Sequence, residues 1–409
     1  MTRRCRACDA VLSESVVDLG MQPLSNGFVP AERLAAMEPT YPLHVFVCTA
    51  CWLVQIDAVA ARETIFADDY AYFSSYSTTW LDHARRYAER MIAERKLTAR
   101  SLVVELASND GYLLRWFAQR DVPVRGVEPT AGTARAAQEQ GVPTTVAFFG
   151  RETARALVAE QGRADLLVAN NVLAHVPDLN DFIAGMALAL APHGLATIEF
   201  PHVLELLERV EYDTIYHEHF SYFSLLSAGA AFARHGLDVV DVEQLPTHGG
   251  SLRLHVAHAG TVPVGERVDA LLARERAAGL AGVAAYRGFA ERVRASKFAL
   301  LEYLIAARRG GVRVAAYGAA AKGNTLLNYC GVRDDLLHYI VDRNPHKVGT
   351  YAPGTHLPVL PVEHVDADRP DVLLILPWNL ADEITEQMAR VRGWGGCFAV
   401  PIPLVRELP

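Results

Sequence analysis

The sequence predicts an α/β protein of three parts: a small N-terminal domain, a central Rossmann-like domain and a second Rossmann-like domain at the C-terminus. Two Cys-x-x-Cys pairs within the first 51 residues mark the first part. Short apolar runs alternate with helical stretches from residue 101, and again from residue 312, as in parallel sheets covered by helices. A chain of 409 residues has room for two or three domains. We therefore place the domains at residues 1–66, 67–261 and 262–409.

Composition narrows the class of protein. Hydrophobic residues make up 51% and charged residues 21%, which suits a globular protein with large cores. The net charge of −8 argues against a broad nucleic-acid surface but leaves room for a local basic pocket. The N-terminus lacks the apolar core of a signal peptide, and no apolar run reaches transmembrane length. We expect a cytoplasmic protein without membrane or nucleic-acid partners, monomeric or weakly homo-oligomeric.

The N-terminal domain carries a complete set of zinc ligands. The two pairs, Cys5/Cys8 and Cys48/Cys51, can supply four thiolates in a tetrahedral arrangement. Two redox pairs are the alternative, but disulfides are disfavoured in a reducing compartment. Because four thiolates leave no open coordination position, we predict a structural zinc ion rather than a catalytic one.

The central domain has the pattern of a nucleotide-binding sheet. A buried strand at 101–106 ends in a turn with a single glycine, and a second strand at 124–127 ends at an acidic residue. Further strands are predicted at 144–147, 165–169 and 196–200. A pyrophosphate site would need more glycines, so this turn favours S-adenosylmethionine, which has no phosphate, over NAD. The candidate contacts to this cofactor are Glu105, Ala107, Ser108, Asn109, Gly111, Glu128, Pro129, Asn170 and Asn171.

Tyr216-His217-Glu218-His219 is the densest group of proton-transfer side chains in the sequence. Taken alone, the motif has three explanations: a metal site through the two histidines, an acid/base cluster, or a satisfied polar patch. Its neighbours along the chain decide between them.

The order of the motifs resembles the sugar C-methyltransferases, which modify nucleotide-linked deoxysugars in antibiotic pathways. The resemblance spans nearly the whole chain, although Ala107 stands where many methyltransferases carry glycine. It implies a class I (Rossmann-like) methyltransferase domain, S-adenosylmethionine, a structural Zn²⁺, and methylation at C3 of a dTDP-linked 4-keto-6-deoxyhexose. The matching motifs are Cys-x-x-Cys twice, Glu105–Gly111, Gly126–Pro129, Asn170–His175 and Tyr216–His219.

The implied chemistry assigns roles to the motif. A proton α to a ketone can be removed to give an enolate, whose carbon is nucleophilic. By resemblance, His219 is the general base, while Glu218 and Tyr216 orient it or stabilise the oxyanion. His175 and Tyr70 occupy the other matching catalytic positions and are expected to face the sugar.

A second set of residues is expected to hold the sugar nucleotide. The C-terminal domain, with strands predicted at 312–317, 337–341, 372–376 and 397–400 after long helices at 262–310, helps to hold the dTDP portion by resemblance. A connecting loop, a turn entering a strand and plain helix packing are the alternatives for these segments. The candidates are Tyr72, Ser75, Tyr76, Tyr222, His248, Gly249, Arg253, Lys322 and Asn324.

Other functions stay open from the sequence. An O- or N-methyltransferase acting on a sugar or natural product would need only a deprotonated hydroxyl or amine. A zinc-containing nucleic-acid-modifying or -binding protein is disfavoured by the acidic balance. A purely structural scaffold would leave the Tyr-His-Glu-His motif idle.

Overall fold

The computed structural model describes residues 2–57, 59, 73–76 and 78–408. Two predicted site residues, Tyr70 and Tyr72, lie outside the described residues. Within the described part, no helix is long and apolar enough to cross a membrane.

The N-terminal region is an antiparallel β structure. Buried and exposed positions alternate along part of the first long strand, so that one face packs inward while the other stays in solvent. The strands are β1 (Glu14–Gln22), β2 (Val29–Pro30), β3 (Tyr41–Val47) and β4 (Val54–Ile56). Strand β3 lies between β1 and β4 and pairs with both in antiparallel register.

The central region contains a seven-stranded sheet. Its first five strands in chain order are β5 (Val103–Leu106), β6 (Val124–Glu128), β7 (Thr144–Val146), β8 (Ala164–Asn170) and β9 (Leu190–Pro201). Its last two strands are β11 (Leu237–Leu245) and β12 (Ser251–His258), and between β9 and β11 the chain also forms β10 (Ser221–Tyr222), which belongs to the N-terminal sheet. The helices are α1 (Thr78–Arg95), α2 (Leu114–Ala118), α3 (Ala131–Glu139), α4 (Arg151–Gln161), α5 (Leu179–Ala189), α6 (Val203–Arg209) and α7 (Leu225–Ala233).

The strand order of this sheet is β11-β12-β9-β8-β5-β6-β7. Strands β5 to β9 pair in parallel, while β12 runs antiparallel to both β9 and β11. Strand β5 is buried along its whole length because helices cover both faces of the sheet. Since β5 and β8 are adjacent, their carboxyl ends meet at one edge, the usual position of a ligand in such sheets.

The C-terminal region begins with helices and ends in a second α/β unit. Its helices are α8 (Glu266–Ala277), α9 (Ala284–Arg287), α10 (Phe289–Arg309), α11 (Ala321–Cys330), α12 (His364–Asp368) and α13 (Ala381–Gln387). Its strands are β13 (Val314–Tyr317), β14 (Ile340–Asp342), β15 (Thr350–Tyr351), β16 (Val359–Pro361), β17 (Val372–Ile375), β18 (Cys397–Val400) and β19 (Arg406–Leu408). The sheet order is β16-β14-β13-β17-β18-β19, parallel except for β19.

The three regions are joined by strand pairing as well as by packing. Strand β10 belongs to the central segment of the chain but pairs with β4 of the N-terminal sheet. Strand β15 of the C-terminal region pairs with β2. One apolar cluster includes Val45 of the N-terminal sheet, Tyr212 of the central region and Leu326 of the C-terminal region. The Tyr216–His219 motif, which runs into β10, therefore lies where the three regions meet.

The predicted α/β class with two Rossmann-like units is confirmed. Each strand predicted for the central domain is present, and the fifth begins six residues earlier than expected, at Leu190. The four strands predicted for the C-terminal unit are also present, with ends shifted by up to three residues. The short strands β2, β10 and β15 were not predicted, because two residues carry no periodic pattern.

Candidate active site and zinc centre

The four predicted zinc ligands come together at one end of the N-terminal region. The sulfur atoms of Cys5, Cys8, Cys48 and Cys51 all lie within 4.8 Å of one another. Zn–S bonds of about 2.3 Å in a tetrahedron require sulfurs about 3.8 Å apart, so the cluster fits the ion. The Gln55 amide donates a hydrogen bond to Cys5 Sγ at 3.2 Å, which supports the ligand from behind.

The turn after β5 has a backbone shaped for close approach. Ala107, Asn109 and Gly111 all have positive φ, at +53°, +50° and +76°. A Cβ at Gly111 would lie 3.0 Å from the Val142 side chain, so a larger residue would be crowded as well as strained. At Ala107 the left-handed conformation costs a side chain about 1 kcal/mol, which explains why glycine suits this position in many methyltransferases.

Buried oxygens without partners surround this turn. Within the described part of the chain, several of them make no hydrogen bond of good geometry. They are Glu105 Oε1 and Oε2, Ser108 Oγ, Asp110 Oδ1, Asn170 Oδ1 and Asn171 Oδ1. Glu105 is 1% exposed, and this burial raises the pKa of its carboxyl group well above its ordinary value. Buried acceptors of this kind are normally satisfied, so the cradle fits the hydroxyl and ammonium groups of S-adenosylmethionine.

Glu128 occupies the end of β6, as predicted, but its carboxylate is already engaged. Oε2 accepts the backbone N–H of Asn109 and Oε1 accepts that of Thr130, both at 2.9 Å. These bonds fix the carboxylate beside the turn while leaving lone pairs free for ribose hydroxyls. Pro129 follows directly and ends the strand.

We expect Glu105→Gln to weaken S-adenosylmethionine binding. The substitution keeps the volume of the side chain but replaces one of the two buried carboxyl oxygens of the cradle, which can accept from the cofactor, with an amide donor. A hydrogen bond to a charged group contributes about 1.5–3 kcal/mol, so Kd should rise about tenfold to a hundredfold. Calorimetric titration with S-adenosylmethionine measures the effect.

Glu139→Gln is the matched control, because this exposed glutamate on α3 lies away from the cradle. It should leave Kd unchanged. An unchanged Kd in Glu105→Gln would instead assign Glu105 to the support of the sheet.

The Tyr-His-Glu-His motif is held from two sides. It runs directly into β10, and the Ile56 N–H donates to the Phe220 carbonyl at 3.1 Å. On the other side, the Phe220 N–H donates to the Ala174 carbonyl at 2.8 Å, next to His175. The motif is therefore fixed between the zinc-bearing sheet and the end of β8.

His219 lies at the centre of an aromatic group. Its ring centroid is 4.1 Å from that of Tyr216, 4.7 Å from that of His175 and 6.1 Å from that of Tyr222. Its Nδ1 is 2.9 Å from the Thr214 carbonyl oxygen. A carbonyl can only accept, so Nδ1 carries the proton and Nε2 keeps its lone pair. Burial, reinforced by the charge of His175, lowers the pKa of His219 well below its ordinary value.

Two of the other motif residues, His217 and Glu218, contact the N-terminal region. Glu218 Oε1 accepts a hydrogen bond from the Asn26 amide at 2.6 Å. His217 Nε2 lies 3.3 Å from the Pro42 carbonyl. Nδ1 of His219 thus donates to the Thr214 carbonyl, whereas Glu218 was expected, with Tyr216, to orient the imidazole or stabilise the oxyanion.

The C-terminal region adds a cation beside the motif. Lys322, in the first turn of α11, donates to Asn379 Oδ1 at 2.6 Å and lies 4.6 Å from the centre of the Trp378 ring. Burial lowers the pKa of Lys322, against the opposing charges of Asp213 and Glu211. The charge of Lys322 is also felt at His219, where it helps to lower the pKa.

His248 and Gly249 also reach this cleft. His248 forms an edge contact with Trp80, with ring centroids 5.6 Å apart, and its Nδ1 is buried without a partner among the described residues. Gly249 has φ +94°, and a Cβ there would lie 2.6 Å from Glu211 Oε1 and 2.7 Å from Trp378. Only glycine fits, because the site is packed from two sides.

Other predicted sugar-nucleotide contacts are placed differently. Arg253 is 3% exposed on β12, and its guanidinium donates to Glu199 at 2.6 Å, which argues against a phosphate contact. Asn324 donates to the Ser25 carbonyl at 2.7 Å and so joins α11 to the N-terminal region. Tyr222 is buried, with its ring centroid 6.1 Å from that of His219.

Ser75 and Tyr76 lie in a short 3₁₀ helix next to the cofactor cradle. The N–H of Ser75 donates to Asp110 Oδ2 at 3.1 Å, whereas the Tyr76 side chain is exposed and stacks on Phe73. The structure therefore brings Ser75 to the cofactor turn rather than to the motif around His219.

Sequence reasoning missed several residues of the cleft. Thr214 acts through its backbone, which no sequence pattern reveals. Glu211 and Asp213 lie just before the motif, and Trp378 follows the carboxyl end of β17, a usual position for site residues. Those two signals were available in the sequence.

Three family models match the chain. They are a zinc binding domain at residues 5–66, a methyltransferase domain at 80–242, and a C-methyltransferase C-terminal domain at 246–403. The C-methyltransferase NovU of Streptomyces niveus is 37% identical over 408 residues, which cover 99% of this chain and 96% of that protein.

Two solved structures are similar to about half of the chain. The magnesium protoporphyrin IX methyltransferase of Synechocystis PCC 6803, with bound SAH, is 15% identical and covers 44% of this chain and 83% of its own, with a TM-score of 0.35. The 1,6-didemethyltoxoflavin-N1-methyltransferase of Burkholderia thailandensis is 17% identical and covers 51% and 95%, with a TM-score of 0.36.

The family expected from the motifs is confirmed by the full-length relative and by the three matching domains. The chain belongs to the C-methyltransferases and is an S-adenosylmethionine-dependent enzyme with a four-cysteine zinc domain.

Proposed function

We propose that the enzyme methylates C3 of a dTDP-linked 4-keto-6-deoxysugar, through an enolate formed when His219 removes the C3 proton. The observation that carries this proposal is the hydrogen bond from His219 Nδ1 to the Thr214 carbonyl. It holds the imidazole as the tautomer whose Nε2 can accept a proton. The low pKa of His219 keeps the ring neutral and ready at physiological pH.

The other residues of the cleft support the same chemistry. His219 Nε2 takes up the C3 proton, and negative charge develops on the C4 oxygen. Tyr216 packs against His219 and carries a hydroxyl that can donate to this oxyanion. His175, 4.7 Å from His219, limits the movement of the imidazole. When bound in the cradle beside Glu105, S-adenosylmethionine supplies an electrophilic methyl group.

The nucleotide portion is assigned to the C-terminal side of the cleft. Lys322 provides a positive charge in the first turn of α11, where the helix dipole also favours an anion. We therefore propose that the diphosphate binds here, with His248 and the backbone of Gly249 on the opposite side.

A labelling experiment tests the proposal. The enzyme is incubated with S-adenosylmethionine and 3-amino or 3-hydroxy dTDP-4-keto-6-deoxyhexoses in deuterated water, and products are identified by mass spectrometry and NMR. We expect a product one methyl heavier at C3, and deuterium at C3 when the methyl donor is omitted. The C4 ketone acidifies C5 as well as C3, so methylation at C5 would overturn the position while retaining the enolate. Methylation on oxygen or nitrogen would overturn carbon methylation.

The pH dependence of the reaction should follow the neutral imidazole. His219 acts when deprotonated, so kcat/KM should be lost as pH falls. Because burial places the pKa of His219 well below 6.5, kcat/KM should be flat from about pH 6.5 upward with respect to this group. A profile measured from pH 5 to 9 tests this.

An acid limb with its midpoint near pH 7 would contradict the assignment to His219. It would point to Glu211, whose pKa is raised to about 7 by burial and by the neighbouring Asp213.

A further inference from the structure

A single turn of 3₁₀ helix, Tyr212–Thr214, precedes the catalytic motif and contacts three different parts of the molecule. The Tyr212 hydroxyl lies 3.6 Å from Cys330 Sγ at the end of α11. Asp213 Oδ2 accepts the indole N–H of Trp378 at 2.7 Å. The Thr214 carbonyl accepts the Nδ1–H of His219 at 2.9 Å. All three residues of the turn are buried.

Asp213 is an unusual residue in this turn, because a carboxyl group is costly to bury. It is 0% exposed, and its partner Trp378 comes from the loop after β17, in the C-terminal region. A buried carboxyl group whose partner is lost carries the full cost of desolvation. The hydrogen bond from Trp378 therefore fixes where Asp213 lies.

Trp378 is itself fixed on two sides. The Lys322 ammonium lies 4.6 Å from the centre of its ring, and the ring packs so close to Gly249 that a Cβ there would lie 2.7 Å away. Because the indole is packed on both sides, a displacement of the C-terminal region would displace Asp213 as well.

We propose that Asp213 and Trp378 form a positioning device for the base, in which their hydrogen bond sets the Thr214 carbonyl and so the orientation of His219. Asp213 and Thr214 are adjacent in one short turn, so a shift of the first displaces the carbonyl of the second. Misplacement of a catalytic group by about 1 Å can cost a hundredfold in rate. The inference rests on the proposed function, in which His219 is the base.

The device makes the base depend on the C-terminal region. His219 has its productive orientation only when the loop carrying Trp378 is seated against the turn. Neither Asp213 nor Trp378 needs to touch the sugar for this effect, which separates their role from that of Lys322.

Four variants of the zinc-loaded enzyme test the proposal: Asp213→Ala, Asp213→Asn, Trp378→Phe and the double variant Asp213→Ala/Trp378→Phe. Asparagine keeps an oxygen that accepts the indole N–H, and phenylalanine keeps an aromatic ring but has no donor. Trp394→Phe is the matched control, because Trp394 donates its indole N–H to Pro370 inside the C-terminal region. For each variant, kcat, KM for the sugar nucleotide and Kd for S-adenosylmethionine are measured.

We expect Asp213→Ala and Trp378→Phe each to lower kcat about tenfold, with KM and Kd unchanged. Asp213→Asn should recover kcat to within about twofold of the parent enzyme. The double variant should be no slower than the slower single variant, since both changes remove the same hydrogen bond. Trp394→Phe should keep the parent kcat.

Three results would overturn the device. They are a rise in KM with unchanged kcat, equal damage in Asp213→Asn and Asp213→Ala, or additive losses in the double variant. Should Asp213→Ala fail to fold, an unchanged kcat in Trp378→Phe would overturn it equally. His219→Ala, measured alongside, distinguishes failure of the positioning device from failure of the assignment of His219 as the base. An inactive His219→Ala with unaffected Trp378→Phe refutes only the device, whereas an active His219→Ala refutes the base assignment.

Discussion

Replacement of His219 by alanine is expected to reduce kcat for methyl transfer by about 10²- to 10⁴-fold, the usual contribution of a general base. The imidazole Nε2 would be lost from a partly buried position that faces His175 and Tyr216. The cofactor cradle lies at the end of β5 and makes no described contact with His219, so Kd for S-adenosylmethionine should change little. Steady-state kinetics and calorimetry on the same preparation measure both quantities.

His219→Asn separates orientation from proton transfer. Its amide can still donate to the Thr214 carbonyl, which now binds Nδ1, but it has no basic nitrogen. We expect it to be as inactive as the alanine variant and to fail to exchange deuterium into the sugar. His193→Ala, at an exposed position, is the control and should retain the parent rate. Turnover near the parent value in His219→Ala would move the base to another residue of the cleft.

Loss of the zinc ion is expected to remove both stability and activity. Structural zinc sites supply apparent binding free energies of about 10–16 kcal/mol, which act as folding free energy. In Cys48→Ser one of the four thiolates is missing, and the N-terminal region that carries Asn26 and Pro42 loses its metal anchor. Glu218 and His217 would then lose their partners. The zinc content, the thermal unfolding temperature and the rate of methyl transfer should all decrease in this variant.

Cys397→Ser provides the matched control, since Cys397 lies on β18 outside the four-sulfur cluster. It should keep the full zinc content and rate. A zinc-free Cys48→Ser protein with the parent unfolding temperature would contradict a structural role for the ion.

Much of the fold was accessible from the sequence because it depends on local patterns. Four cysteines in two pairs predicted the zinc centre, and alternating strands and helices predicted both Rossmann-like units. The strands β2, β10 and β15 were not accessible. Each has two residues, and each forms only because distant parts of the chain meet. Their pairing is a tertiary property without a local signal.

The candidate site, too, could be predicted from the sequence only in part. Residue types and spacing pointed to Glu105, and the family resemblance pointed to His175 and His219. The structure places these three residues in or beside the cleft. Arg253 was predicted to contact the sugar nucleotide, because a basic residue shortly after two glycines is typical of a phosphate site. The prediction failed because the partners of Arg253, Glu199 and Glu243, come from other strands and cannot be identified from local sequence. The bond from His219 to a backbone carbonyl was also out of reach, since every residue has a carbonyl.

The strand pairing between regions limits how such enzymes can be recombined. Strand β10 of the central segment completes the N-terminal sheet, and β15 of the C-terminal region pairs with β2. A chimera that exchanges one region between relatives would replace one side of each pairing and of the Asn26–Glu218 and Ser25–Asn324 contacts. A chimera designed to change the specificity for the methyl acceptor should therefore exchange both partners of each pairing together, rather than a single region bounded by its linkers.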